Sequence, residues 1–227
     1  MSSPSSPPEP RWRRLPEERP QQIIDAALSV FGERGLSCAR LDDIAKLAGL
    51  SKGTIYLYFP NKEELFREVV RQTIVAEIER AESRLADAPQ RSATEALVKF
   101  VHGYWSFIRS AKFAALFRLV HAELGNFPDL AQFYAREVVE RTLRLIAGIL
   151  ERGMETGEFR RQDPVVAARM LGPLLLMHSL WCNHRDLFKS IANRSDEQVL
   201  DELLAFYLHA LRASPVEATP ALNVRTQ

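Results

Sequence analysis

The residues best suited to chemistry lie in one short stretch, Lys52 to Tyr58, which reads Lys-Gly-Thr-Ile-Tyr-Leu-Tyr. Their spacing predicts a short helix with a cation, a hydroxyl, two phenols and a glycine. Thr54 can hydrogen-bond a base edge or contact a thymine methyl group, and Gly53 allows close backbone approach. Lys52, Tyr58 and the nearby Lys62 suit phosphates. The pattern is typical of a helix that enters the major groove of DNA.

Four residues of the C-terminal part could in principle carry acid–base catalysis, namely His102, His121, Glu123 and Asp129. No spacing links them into a recognisable arrangement of nucleophile, base and orienting group. The sequence therefore predicts that the chain is not an enzyme.

A second set of chemically active side chains, His178, Cys182 and His184, superficially resembles a metal site. Its spacing suits no standard site, and we predict neither a metal nor a cofactor. Cys38 lies far from Cys182 in sequence and both fall in helical patterns, so both are predicted to be buried free thiols.

The elements that must position residues 52–58 are predicted to be helices, because apolar residues recur at spacings of three and four. A first helix begins near residue 17 and ends at Gly35, and a short second helix ends at Gly49. Ser51 can cap a third helix, and a fourth follows Pro60 and runs to about Ala86. Two short helices joined by a tight turn and braced by longer ones form a helix-turn-helix.

The rest of the chain shows helical patterns throughout, with no sustained strand alternation, so the predicted fold class is all-α. The predicted helices run roughly over 93–109, 111–121, 130–156, 164–181 and 196–212. Residues 1–16 are predicted to be a disordered arm because they are rich in Ser and Pro, and residues 214–227 a flexible tail.

Charge and hydropathy limit the possible partners. The 227 residues hold 30 Lys plus Arg and 29 Asp plus Glu, a formal net charge of +1. DNA binding must therefore rest on a local basic patch. The Arg11 to Arg14 cluster could reach a minor groove as an arm or be a solvated tail. No apolar run of about eighteen residues occurs, so we predict a cytoplasmic protein without a membrane span.

The stretch from Gly35 to Leu65 closely resembles the DNA-binding signature of the TetR family of transcriptional regulators. The matching residues are Asp43-Ile44-Ala45, Ala48-Gly49, Ser51 to Tyr56, Phe59 and Lys62-Glu63-Glu64-Leu65. The resemblance implies that a set of exposed residues contacts DNA: Lys52, Gly53, Thr54, Tyr56, Leu57, Tyr58 and Lys62. Ile55 and Phe59 are assigned to the core, and Tyr56 has core packing as its alternative role.

Arg40 departs from the family pattern, which often has Ser or Thr there as the cap of the second helix. We expect Arg40 to contact a phosphate instead, and Ser37 to supply part of the missing cap. The resemblance further implies two domains. These are a three-helix DNA-binding domain over residues 17–65 and a helical ligand-binding and dimerisation domain over residues 66–213.

The C-terminal domain is rich in aromatic side chains with a few polar tips, the composition expected around a small apolar or amphipathic effector. The candidate effector-binding residues are His102, Trp105, Phe113, Phe117, His121, Phe133, Tyr134, Met177, His178 and Trp181.

In the TetR family the last two helices form the dimer interface. By that resemblance the candidate interface residues are Leu174, Met177, Leu203, Leu204, Tyr207, Leu208 and Leu211. The expected function is a homodimeric regulator, most often a repressor in this family, that binds a palindromic double-stranded DNA operator and is released by a small molecule. The alternative is a helical DNA-binding protein regulated by a protein partner, without a small-molecule ligand.

Overall fold

The structure is a computed structural model that describes residues 19–87, 92–191 and 193–213. The arm predicted over residues 1–16 and the tail predicted over residues 214–227 lie outside the described residues. All named elements in the described ranges are helices, and the β interaction found there is an isolated bridge between Phe159 and Arg212. The all-α prediction is confirmed.

Helices α1 and α2 each have a glycine with a positive φ near their C-terminal end. Helix α1 spans Arg19–Cys38 and is kinked at Gly35, whose φ of 73° and ψ of 165° lie in a region open almost only to glycine. Helix α2 spans Leu41–Leu47, and the chain turns after it at Gly49, where φ is 69°. The sequence predicted both glycines as the ends of these helices.

Helices α3 and α4 each begin at a side-chain cap, which satisfies a backbone N–H that has no partner within the helix. Helix α3 spans Lys52–Tyr58, and the Ser51 hydroxyl oxygen accepts from the Thr54 N–H at 3.1 Å. Helix α4 spans Lys62–Val70, and the Asn61 side chain accepts from the Glu64 N–H at 2.8 Å. It continues through a π-helical turn, Arg71–Val75, into α5, Ala76–Asp87.

The remaining helices follow with short connections. They are α6 (Ala93–Ile108), α7 (Ala111–Glu123), α8 (Pro128–Tyr134), a π-helical segment (Ala135–Glu140), α9 (Arg141–Glu155), α10 (Pro164–Cys182) and α11 (Asp196–Leu211).

The chain folds into two compact units. The first holds residues 19–73 together with Ala115–Gln132. Its core joins α1, α2, α3 and α4, with Phe31 and Phe66 in edge-to-face contact at 6.2 Å and Ile44 and Ile55 fully buried. This core fixes α3 through one face only.

The second unit holds the described residues of the ranges 74–114 and 133–213. In it α10 packs on α9 and α11, and the Tyr207 hydroxyl donates to the Ala167 carbonyl at 2.9 Å. The guanidinium of Arg141 in α9 donates to both carboxylate oxygens of Glu82 in α5, at 2.8 and 2.6 Å. The packing of α10 on α9 and these hydrogen bonds connect α5, α9, α10 and α11.

Three local expectations need correction or comment. Phe59 is half-buried rather than a core residue, because it caps the C-terminal end of α3. Cys38 is exposed at the end of α1, whereas Cys182 is buried, and both are free thiols. Helix α10 is long and apolar enough to cross a membrane by length and composition alone, a property it shares with core helices of many globular proteins.

Candidate nucleic-acid interface

Helix α3 is anchored by one residue and exposes the others. Ile55 is fully buried, whereas Leu57 is 85% exposed and Tyr56 45% exposed. Lys52 and Gly53 are exposed and Thr54 is half-buried. The exposure of Tyr56 argues against core packing as its main role, and the N-terminal end and outer face of α3 are open to a partner.

The Thr54 hydroxyl already has a local contact in the free protein. Its oxygen lies 2.8 Å from the Ser51 hydroxyl oxygen. A hydroxyl can donate once and accept twice, so Thr54 can keep this bond and still take a hydrogen bond from a base edge. Its methyl group is unaffected by the contact.

Lys52 forms an ion pair that the sequence did not predict. Its ammonium group donates to the Asp42 carboxylate at 2.8 Å and lies 5.8 Å from the centre of the Tyr56 ring. The hydrogen bond to Asp42 is the main cause of a pKa for Lys52 above its ordinary value, so the side chain is a cation at neutral pH. A DNA phosphate would have to compete with Asp42 for this cation.

Arg40 occupies the N-cap position of α2 and is exposed, and α2 has no side-chain cap. The expectation that Ser37 caps α2 is wrong, because the Ser37 hydroxyl donates to the Glu123 carboxylate at 2.5 Å instead. The Lys62 ammonium donates to the Ser37 carbonyl at 2.7 Å. Lys62 is the first residue of α4, and this hydrogen bond holds its ammonium group beside the turn that leads to Arg40.

The ten residues predicted to contact an effector differ in burial and are divided between the units. Three are buried (Trp105, Phe113 and Phe133), four are half-buried (Phe117, Tyr134, His178 and Trp181), and three are exposed (His102, His121 and Met177). Phe117 and His121 belong to the first unit, and the other eight belong to the second.

Several of these residues are in ring contact. His178 and Trp181 lie 4.6 Å apart between ring centres, and the Nδ1 of His178 lies 2.9 Å from the Leu174 carbonyl oxygen. A carbonyl can only accept, so Nδ1 is the donor in this contact.

Tyr104 is a candidate that our sequence-based selection of ten residues left out. It stacks on Phe100 at 5.8 Å, and burial raises the pKa of its phenol to about 12. Burial, with Tyr104 as a further cause, also raises the pKa of Tyr134. The four-residue spacing of Phe100 and Tyr104 was the available signal.

The residues predicted for the dimer interface are mostly used inside one protomer. Leu203, Leu204, Tyr207 and Leu211 are buried, and Leu174 and Leu208 are half-buried, whereas Met177 is 48% exposed. These four side chains are covered within the protomer. The large apolar residues that are exposed on these two helices are Val165, Val166, Met170, Met177 and Phe206.

In the described ranges, no group of three or more His, Cys, Asp or Glu side chains could hold a metal ion. Glu123, one of the four residues considered for catalysis, accepts hydrogen bonds from the Ser37 N–H and hydroxyl.

Comparison with known proteins adds to this picture. Residues 23–69 match the model of the tetR family of bacterial regulatory proteins, and residues 95–213 match the C-terminal domain of AefR-like transcriptional repressors. The fatty acid metabolism regulator protein of Bacillus subtilis is 31% identical over 159 residues, which cover 69% of this chain and 80% of that protein.

Two further proteins are similar over most of their length. The transcriptional repressor KstR2 of Rhodococcus jostii is 30% identical over 156 residues, 67% of this chain and 74% of that protein. A crystal structure of the regulator FadR from Bacillus subtilis in complex with stearoyl-CoA has a TM-score of 0.68 and 26% identity, and the match covers 85% of this chain and 99% of that one. These relatives are regulators and not enzymes. The chain belongs to the TetR family of DNA-binding transcriptional regulators.

Proposed function

We propose that this chain is a repressor that binds a near-palindromic operator as a homodimer and is released from it by a small amphipathic molecule. The observation that carries the proposal is the geometry of α3, which is anchored by Ile55 while its N-terminal end and outer face are exposed. A recognition helix needs this arrangement to enter a major groove. Operator binding implies that the protein works in the cytoplasm.

The local charges favour phosphate binding although the net charge is close to zero. Arg40, Lys52 and Lys62 lie at the starts of α2, α3 and α4. Helix N-termini and cations both favour phosphate oxygens. The Lys52–Asp42 ion pair is exposed to solvent, which screens it, so exchanging Asp42 for a phosphate costs little.

A homodimer would form through the outward face of α10 together with Phe206 of α11. On α10, Val166, Met170 and Met177 are 45%, 64% and 48% exposed, and their spacing puts them on one side of the helix. Phe206 is 70% exposed. An exposed apolar stripe of this kind marks a protein contact, and a two-fold axis would bury the same stripe of each copy.

The effector class is proposed from the second unit together with the relatives. The buried Trp105, Phe113 and Phe133 offer apolar surface, and the phenols of Tyr104 and Tyr134 offer polar groups within it. Such a mixture suits a long apolar chain that ends in a polar group. The complex of FadR with stearoyl-CoA is a relative with a ligand of this chemistry. We therefore propose an acyl-CoA thioester as the effector.

The test is a titration of the full-length protein with stearoyl-CoA in the presence and absence of its operator DNA. If the effector releases the operator, the two ligands must oppose each other, and operator must weaken stearoyl-CoA binding by the factor by which stearoyl-CoA weakens operator binding. To reverse the ratio of released to operator-binding conformation from 1:99 to 99:1, the effector must bind the released conformation more tightly by about 5.5 kcal/mol.

Coenzyme A without an acyl chain is the matched control, since it keeps the phosphates and loses the apolar part. It should leave operator binding unchanged. Equal stearoyl-CoA affinities with and without operator would refute release by acyl-CoA while leaving DNA binding intact.

A further inference from the structure

The turn between α1 and α2 is shaped by a carboxylate from a distant part of the chain. Glu123 is the last residue of α7. Its Oε2 accepts from the Ser37 N–H at 3.2 Å and from the Ser37 hydroxyl at 2.5 Å. One carboxylate oxygen thus holds both the backbone and the side chain of one residue in the turn.

Gly35 makes room for this carboxylate. A Cβ added at Gly35 would clash with the Glu123 carboxylate, and the φ of 73° would strain any other residue. The glycine therefore serves two purposes, the break in α1 and the close approach of Glu123. The turn and the carboxylate fit each other as one unit.

The same turn contacts one residue proposed to bind a phosphate and leads directly to another. The Ser37 carbonyl accepts from the Lys62 ammonium at 2.7 Å, and Arg40 follows three residues later at the start of α2. Glu123, Ser37 and Lys62 thus form a chain of hydrogen bonds, with the amide and carbonyl of Ser37 in the middle. All three belong to the first compact unit.

We propose that Glu123 is a positioning residue for operator binding, which acts through Ser37 to hold Lys62 in the place that meets a phosphate. The proposal rests on the proposed function, since it assumes that Lys62 contacts DNA. Glu123 lies within the region matched by the C-terminal family model, whereas Ser37 and Lys62 lie within the N-terminal one. The carboxylate is therefore a direct link from the C-terminal region into the DNA-binding surface.

Positioning and simple electrostatics predict opposite effects when the Glu123 charge is removed. A carboxylate near phosphate-binding cations repels DNA, so its loss alone would tighten binding to every sequence. Loss of a positioning group weakens binding instead, because Lys62 spends less time in the productive arrangement. The sign of the change in affinity separates the two explanations.

The experiment measures operator affinity by fluorescence anisotropy over a range of salt concentrations for full-length Glu123→Gln, Glu123→Asp and Ser37→Ala. Glu155→Gln is the matched control, because Glu155 is the exposed last residue of α9 as Glu123 is the last of α7. Thermal unfolding of each variant is followed in parallel. The Lys62→Met variant and the double variant Lys62→Met with Glu123→Gln complete a double-mutant cycle with wild type and Glu123→Gln.

We expect Glu123→Gln to weaken operator binding about tenfold and Glu123→Asp to weaken it although the charge is kept, since the shorter side chain does not reach Ser37. The slope of log affinity against log salt should fall by about one for Glu123→Gln, as for Lys62→Met, because one phosphate contact is lost. In the Lys62→Met background Glu123→Gln should cost less than about twofold. Glu155→Gln should behave as wild type.

The proposal is overturned if Glu123→Gln binds operator as well as Glu155→Gln does, or more tightly, or if its full effect persists in the Lys62→Met background. Ser37→Ala removes only the hydroxyl of an exposed residue, so it provides the same comparison in a milder variant should Glu123→Gln unfold. Failure of the wild-type protein to bind any specific DNA would instead refute the proposed function, which keeps the two failures distinguishable.

Discussion

At the residue scale, the carboxylate of Glu158 caps the N-terminal end of α6. Glu158 accepts from the Ser92 hydroxyl at 2.6 Å and from the N–H groups of Ala93 and Thr94 at 2.8 and 3.0 Å. Burial alone would raise the pKa of the Glu158 carboxyl, but these hydrogen bonds outweigh it and lower the pKa to about 2. The charged form is therefore favoured in the folded state.

This predicts a pH-dependent contribution to stability. A carboxyl whose pKa falls on folding stabilises the native state fully above its unfolded value of about 4.3, and this contribution disappears as the pH falls toward 2. Glu158→Gln should lower the free energy of unfolding by about 1 kcal/mol at pH 7, a fall in Tm of roughly 2–4 °C.

Thermal unfolding from pH 7 to pH 2.5 measures the difference in Tm between wild type and Glu158→Gln. The difference should be constant down to about pH 5 and then shrink. Glu151→Gln, at an exposed position of α9, is the control and should leave Tm unchanged at every pH. A pH-independent difference for Glu158→Gln would contradict the role of the charge.

Sequence patterns predicted local roles at this scale better than distant ones. Ser51 as the cap of α3 and Ile55 as its anchor follow from spacing within a few residues, and both are found. The contacts Lys52–Asp42 and Ser37–Glu123 join residues whose proximity depends on how helices pack. Periodicity says which face of a helix is buried but not which polar residue of another element meets it.

At the element scale, α10 explains why burial cannot be inferred from apolar character alone. Its residues 171–181 are apolar nearly all round, a pattern that by itself would indicate burial on every side. Within the protomer Leu171 and Leu175 are buried, but Met170 and Met177 are exposed. The side that the protomer leaves open is the side that a second copy would cover.

A charge on that side should therefore split the dimer. Met177→Glu and Phe206→Glu are expected to give monomers by light scattering and to lose most operator affinity, because two half-sites can no longer be held together. Leu187→Glu is the control, since Leu187 is 71% exposed but lies outside both helices. If Met177→Glu and Phe206→Glu stay dimeric, the interface lies elsewhere.

Helix boundaries were largely predictable, and the grouping of helices was less so. Glycines and caps predicted the ends of α1, α2 and α3 because these signals act within one turn of chain. The π-helical turn Arg71–Val75 and the packing of Ala115–Gln132 with the first helices have no comparable signature. Both depend on contacts between residues far apart in sequence.

At the scale of the whole molecule, the proposed operator binding, dimerisation and release by an effector all depend on α3 reading DNA sequence. Thr54 is the residue suited to base contact, and Lys52 is suited to phosphate contact. Removal of the two side chains should therefore change the affinity for DNA in different ways.

The most direct test compares wild type, Thr54→Ala and Lys52→Ala on the DNA protected upstream of its own gene and on scrambled DNA. We expect two symmetric half-sites about one helical turn apart, and a loss of about 1–3 kcal/mol for Thr54→Ala on the cognate site with little change on scrambled DNA. Lys52→Ala should weaken binding to both and flatten the salt dependence. Equal affinity of the wild type for both DNAs, or equal losses for Thr54→Ala on both, would contradict sequence reading by α3.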